Sequence, residues 1–103
     1  MDVGAVGEEV AAGFLQRRGA RIVARNVVVP EGELDLLAVI DGVRVAVEVR
    51  SRRGEDPLEA FDDRKLDRVR RSAARVNPPC RRVDLITVAF GEEGVEIRWL
   101  PDM

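Results

Sequence analysis

Residues 33–50, ELDLLAVIDGVRVAVEVR, are two apolar runs separated by Asp41-Gly42. Both turn positions tolerate the left-handed backbone of a type I′ turn, so the stretch predicts a β-hairpin. Pairing Ile40 with Val43 fixes the register and sets Asp35 opposite Glu48 and Glu33 opposite Arg50. Residues paired across an antiparallel ladder share a face. One face is then Leu34, Leu36, Ala38 and Ile40 against Val49, Val47, Val45 and Val43, apolar throughout and expected in a core. The other carries Glu33, Asp35, Glu48 and Arg50 at its open end, with Leu37, Val39, Arg44 and Ala46 nearer the turn. Two carboxylates therefore face each other with Cβ atoms roughly 5 Å apart. Such a pair requires a cation, a proton or an arginine between or beside it. Two readings are open: a solvated strand end with Arg50 as counter-ion, or a divalent-metal site.

At 103 residues the chain is expected to form a single domain over residues 1–103. Hydrophobic content of 46% favours a globular chain over a disordered one. A formal charge of -2 makes no whole-protein case for nucleic-acid binding, so any such case is local. One cysteine, Cys80, excludes an internal disulfide and a cysteine-built zinc site, and the lack of histidine removes histidine-based acid–base and zinc chemistry. Hard, oxygen-ligated metals stay open. The first residues are acidic, with neither a basic leader nor a long apolar run, and no later segment approaches spanning length. A soluble cytoplasmic protein without a membrane partner is expected.

In chain order, Val6, Val10, Ala11, Phe14 and Leu15 recur at helical spacing and predict a helix over about 5–18, ended by Gly19. Glu8 and Glu9 lie in its first half, where solvation and the helix dipole are their ordinary roles. A strand follows over 21–29, in which Asn26 interrupts the alternation and marks an edge, a bulge or a side-chain hydrogen bond. Pro30-Glu31-Gly32 turns the chain into the hairpin, so the first three strands form a meander. Residues 51–56, SRRGED, read as a polar loop. Asp56 as N-cap, Pro57 at the first helical position and Glu59 at the third then start a second helix over 57–76, with Leu58, Phe61, Leu66, Val69, Ala73 and Val76 buried. Asn77-Pro78-Pro79 stops it. Strands are expected over 83–89 and 95–100, the second helix bringing the fourth strand in parallel to the third. Cys80 is a loop residue or a local packing group.

Charge is uneven along this order. Residues 48–82 carry eleven basic and seven acidic side chains, so the remainder has net -6. Tyrosine is absent and the one tryptophan, Trp99, lies in an expected strand, so stacking on bases is not indicated. Contact with backbone phosphates fits this composition better than base readout.

The series Gly7-Glu8-x-x-Ala11, Gly19, Arg25-Asn26, Gly32-Glu33-Leu34-Asp35-Leu36, Val47-Glu48-Val49-Arg50-Ser51-Arg52, Pro57-x-x-Ala60, Lys65 and Arg82-Val83-Asp84 resembles the YraN-like family of small bacterial proteins, in order from residue 7 to residue 88. That family is related by fold to restriction endonucleases and archaeal Holliday junction resolvases. The resemblance implies an α/β, restriction-endonuclease-like fold with a mixed five-stranded sheet in the order α-β-β-β-α-β-β. It also implies a metal-dependent DNA endonuclease, with branched DNA among the expected substrates. The alternative is a non-catalytic nucleic-acid-binding or assembly protein that keeps the nuclease fold. A small adaptor that dimerises through an apolar sheet edge is a third reading.

Carried over position by position, the resemblance makes Asp35 and Glu48 ligands of Mg²⁺ or Mn²⁺, joined by the main-chain carbonyl of Val49 and by Glu8 directly or through water. Glu33 belongs to the same element without an assigned role. The family's usual lysine two residues after the glutamate is here Arg50, which stays protonated and supplies only electrostatics and positioning. Either Arg50 reflects the chain's general use of arginine, sixteen of seventeen basic residues, or it keeps phosphate binding while catalysis is weakened. Lys65, the one lysine, matches a recurrent family lysine, and with Arg52, Arg53 and Arg68 it is expected on the DNA backbone. A homodimer would suit symmetric handling of DNA.

Overall fold

The structure is a computed structural model and describes residues 1–103 apart from the side chains of Glu59 and Ala60. Its elements are α1 (Val3–Arg17), β1 (Arg21–Val29), β2 (Gly32–Ile40), β3 (Val43–Arg53), a 3₁₀ turn (Pro57–Ala60), α2 (Asp63–Arg75), β4 (Arg82–Phe90) and β5 (Val95–Leu100). The five strands form one sheet in the order β1-β2-β3-β4-β5, antiparallel except for the parallel β3–β4 pair. This is the restriction-endonuclease-like order expected from the resemblance.

Each face of the sheet takes one helix. Helix α1 starts where Asp2 accepts the Ala5 N–H at 3.1 Å and ends at Arg18, with Gly19 at φ 88°. Its Ala11, Ala12 and Leu15 pack on Leu36, Ala38, Val45, Val47, Val49, Ile86 and Val88. On the opposite face Val69 and Ala73 of α2 cover Leu34, Leu37, Ala46 and Val83, with Cys80 in the same cluster. Residues 83–89 of β4 are consequently buried without interruption, as expected for a strand covered on both faces. Cys80 is thus a packing group, and burial pushes its thiol pKa up.

Four expectations need correction. The second helix is two elements, because Asp62 caps a new start by accepting the Lys65 N–H at 3.0 Å, while Asp56 caps only the 3₁₀ turn through Leu58 N–H at 2.9 Å. Phe61 between them is extended, and the Glu59 side chain lies outside the described residues. Strand β3 continues to Arg53, since its pairing with β4 runs to Arg53↔Phe90 and absorbs residues read as loop. Val43 is 44% exposed at the turn rather than in the core. Leu34 joins the α2-side cluster although Leu36 joins the α1-side one, so β2 changes the face it presents at Asp35. Strand β1 also changes face, with Ile22 on the α1 side and Ala24 and Val27 on the α2 side, first at the register shift between Ile22↔Ala38 and Ala24↔Leu37. Asn26, at φ 51°, sits between Arg25 and Val27, which pair with Leu36 and Leu34. A strict period of two cannot pass through such a residue.

Candidate functional site

The predicted register holds from Ile40↔Val43 to Leu36↔Val47 and stops there. Asp35 and Glu48 are therefore not a ladder pair, nor are Glu33 and Arg50, which corrects the simple extrapolation. Beyond Val47 the strands fork, and the Val49 N–H, released from the ladder, donates to Asp35 Oδ2 at 2.8 Å. The side chain of Asp35 thus replaces the backbone of β2 as the acceptor. Glu48 remains within hydrogen-bond reach of Asp35. In a strand the N–H and C=O of one residue point the same way, so the Val49 carbonyl opens toward the same gap.

Burial and the adjoining Asp35 push the Glu48 pKa up to about 9, with Glu8 adding to the rise and Arg50 opposing it. Two carboxyl groups this close hold a proton between them when no cation compensates them. Glu8 reaches the same gap from α1. Its pKa is raised by burial first and then by Asp35, Glu33 and Asp2, against the lowering effect of Arg25. Asn26 ties the acids together: with its amide assigned from the surrounding network, it donates to Glu8 Oε1 at 3.0 Å and Glu33 Oε1 at 3.2 Å. Glu9 pairs instead with Arg25 and takes no part.

The position of Glu8 depends on a close approach that sequence reading did not identify. A Cβ on Gly7 would lie 2.5 Å from both Cβ and Oγ of Ser51, so only glycine admits this contact between α1 and β3. Ser51 Oγ also donates to the Val3 carbonyl at 3.0 Å, fastening the helix start to the strand end. The signal was present in the spacing of Gly7 and Ala11, two small residues one helical turn apart.

Basic side chains border the fork on its α2 side. A cleft of about 210 Å³ is lined by Glu33, Glu48, Arg50, Lys65 and Arg68 among others. A second, of about 400 Å³, shares Arg50 and Lys65 and adds Arg52. Arg50 Nε is buried without a hydrogen-bond partner, and the guanidinium carbon lies 5.6 Å from the Phe61 ring centre. Arg52 is paired with Glu55 at 3.4 Å across an exposed contact. Arg53 lies apart, lining a different depression with Met1 and Phe90. The fold thus gathers Arg50, Arg52, Lys65 and Arg68, and leaves out Arg53.

Among the described residues no group of three or more His, Cys, Asp or Glu side chains is disposed to hold a metal ion. Nor is any helix among them long and apolar enough to cross a membrane. A further acid, Asp84, is 0% exposed but distant in role from the fork. It accepts from Arg82 Nε and Nη2 at 2.8 and 2.9 Å, Trp99 Nε1 at 2.9 Å and the Asp102 N–H at 2.9 Å. The Arg82-Val83-Asp84 element is therefore an anchor for β5 and the following residues.

Residues 7–88 match the family described as "Uncharacterised protein family UPF0102". A UPF0102 protein of Symbiobacterium thermophilum is 45% identical over 102 residues, covering 89% of this chain and 86% of the relative. One from Paenarthrobacter aurescens is 39% identical over 95 residues, covering 84% and 78%. A third, from Syntrophotalea carbinolica, is 34% identical over 110 residues, covering 98% and 89%. On this similarity, and with the sheet order found here, the chain belongs to the UPF0102 or YraN-like family, related by fold to restriction-endonuclease-like proteins.

Proposed function

We propose that this protein is a metal-dependent DNA endonuclease whose active centre is the β2–β3 fork. One observation carries the reading. Asp35 and Glu48 lie together, with the Val49 N–H donated to Asp35, while the Arg50 Nε beside them is buried without an acceptor. A divalent ion with a phosphodiester would give the acid pair a full cation and the Arg50 Nε an acceptor.

The donor set is all oxygen, which suits a hard cation such as Mg²⁺ or Mn²⁺. Asp35, Glu48 and the Val49 carbonyl would hold it, with Glu8 a direct or water-mediated partner. Bound there, the ion would supply Lewis-acid polarisation of the scissile phosphate and neutralise its developing charge.

The chain's own residues do the rest. The Val49 N–H orients Asp35, and the Gly7–Ser51 contact brings Glu8 to the gap. Arg50 donates to a non-bridging phosphate oxygen, a planar donor for a planar array of acceptors. Lys65, Arg52 and Arg68 hold flanking phosphates, positioning the backbone without reading sequence. The reading takes residues 1–103 as one nuclease-like domain, paired with a second copy where two strands are cut symmetrically.

The competing reading, a non-catalytic nucleic-acid-binding or assembly protein, is favoured by Arg50 in place of lysine. Incubating the protein with labelled duplex, flap, single-stranded and four-way DNA in Mg²⁺ or Mn²⁺ decides between them. Cleavage is expected, and Glu48→Ala is expected to lower it by about 10²-fold or more. Equal cleavage by wild type and variant would remove the fork as the active centre, and DNA binding without cleavage would favour the competing reading.

A further inference from the structure

Helix α2 is the most highly charged element of the chain, and its charges are sorted. At about 100° per residue, Arg64, Arg68, Arg71 and Arg75 fall within roughly 60° of arc, while both helix acids, Asp63 and Asp67, fall outside it. The buried line of the helix is Val69, Ser72 and Ala73. The arginine stripe lies on the Ser72 side of that line, and the fork cleft is lined from α2 by Lys65, Arg68, Val69 and Ser72. The stripe therefore borders the fork rather than the far flank of the helix, where Arg70 and Ala74 line a separate hollow.

Nothing in the fold requires four arginines there. All four are exposed. Arg71 meets Asp67 at 3.4 Å in an exposed pair of the kind that contributes little, and Arg75 meets the half-buried Glu31 before β2 at 2.8 Å. The aliphatic part of Arg68 passes beside Gly32, 3.8 Å from where a Cβ would stand, so its head group is carried along the edge of the cleft. In a chain of net charge -2 this concentration is a local field, not a reflection of composition.

We infer that the Arg64-Arg68-Arg71-Arg75 stripe of α2 is a phosphate track that binds duplex DNA along its backbone and leads one strand into the fork. It rests on the fork as the place to which the strand is led, though not on cleavage. The stripe spans about 16 Å, over which one strand of B-form DNA carries about five phosphates. A row of guanidinium groups matches phosphate oxygens in charge and donor geometry, and contacts to the backbone carry no sequence information. The Arg71–Asp67 and Arg75–Glu31 pairs exchange a carboxylate for a phosphate on binding, which keeps the arginines extended in its absence.

Fluorescence anisotropy with a labelled DNA duplex in Ca²⁺, across a salt series, tests the track. Wild type is expected to bind with a steep salt dependence. The triple variant Arg64→Gln, Arg68→Gln, Arg71→Gln is expected to bind tenfold or more weakly, with a log–log salt slope shallower by roughly 2 to 3. A control with the same charge change elsewhere, Arg17→Gln, Arg21→Gln, Arg81→Gln, is expected to keep most of the affinity, and circular dichroism checks that both variants fold. Equal loss in the two triple variants would reduce the effect to net charge and overturn the track. So would wild type that does not bind DNA, or that prefers an RNA duplex of equal length by more than tenfold. Glu48→Gln separates this inference from the nuclease reading. Stripe-dependent binding with no cleavage by wild type leaves the track standing and removes the endonuclease.

Discussion

Two acidic sites in this molecule, one buried and one half-buried, are built on opposite terms. Asp84 is fully enclosed and receives four hydrogen bonds, two of them from the Arg82 guanidinium. At the fork, Asp35 accepts one backbone N–H with Glu48 beside it, and Arg50 keeps a buried nitrogen without an acceptor. A satisfied buried charge holds a structure together and has nothing left to offer a ligand. An under-satisfied pair of acids destabilises the empty protein and is relieved by whatever cation or proton arrives. Both sites belong to motifs of the same family resemblance, so the hydrogen-bond inventory, and not the residue type, separates anchor from candidate site.

The contrast is most directly broken at Asp84. Replacing it by alanine leaves the Arg82 charge, the Trp99 N–H and the Asp102 N–H without their acceptor, and is expected to cost about 3–5 kcal/mol. Chemical denaturation of Asp84→Ala beside Glu48→Ala measures it. If the fork variant proves the less stable of the two, the assignment of anchor and site is reversed.

Next in size is Gly7. Gly7→Val forces α1 away from Ser51, at an expected cost of about 1–3 kcal/mol, and draws Glu8 from the other acids. Thermal unfolding reads the first effect, and loss of any Mg²⁺-induced rise in midpoint reads the second. An unchanged metal response would mean that Glu8 is not needed at the fork.

The pH dependence is spread over a wide window and has a definite sign. Glu48 ionises near 4.5 when unfolded and at about 9 when folded, so between these values the folded protein holds the extra proton. Stability of the metal-free protein should therefore fall as pH rises through that window, by up to about 1.4 kcal/mol per pH unit. Glu48→Gln should flatten the profile, and Mn²⁺ should oppose the fall in wild type alone. A Gln variant with the wild-type slope would assign the effect elsewhere.

The smallest structural change is Arg50→Lys, which should move stability by about 0.5 kcal/mol or less. Its value lies in the cleavage assay. A lysine can act on the attacking water where arginine only positions the phosphate. Faster cleavage by the variant would identify Arg50 as the brake on catalysis, and unchanged cleavage would show that the charge alone is used.

Much of the architecture was legible because it depends on local chemistry. Asp41-Gly42 predicted the hairpin, and the structure keeps Ile40↔Val43 as its first pair. Residues 21–29 and 95–100 are strands with the expected bounds, and β4 returns parallel to β3. The single long helix was misread because its apolar stripe runs through the break: Phe61, in the break itself, and Leu66, on α2, enter the same core. Asp62, a cap equal in kind to Asp56, was the overlooked sign.

By itself the sequence determined the order of elements, the hairpin with its Ile40↔Val43 register, the charge bias of residues 48–82 and the family to which the chain belongs. These follow from periodicity, turn chemistry and motif spacing, which are properties of neighbouring residues. Only the tertiary structure decided that the ladder ends at Leu36↔Val47, that Asp35 then accepts the Val49 N–H, and that Gly7 admits α1 close enough for Glu8 to join. It alone decided that Asp84 is satisfied and Arg50 Nε is not. Hydrogen-bond satisfaction is a sum over groups far apart in the chain, and no local pattern carries it.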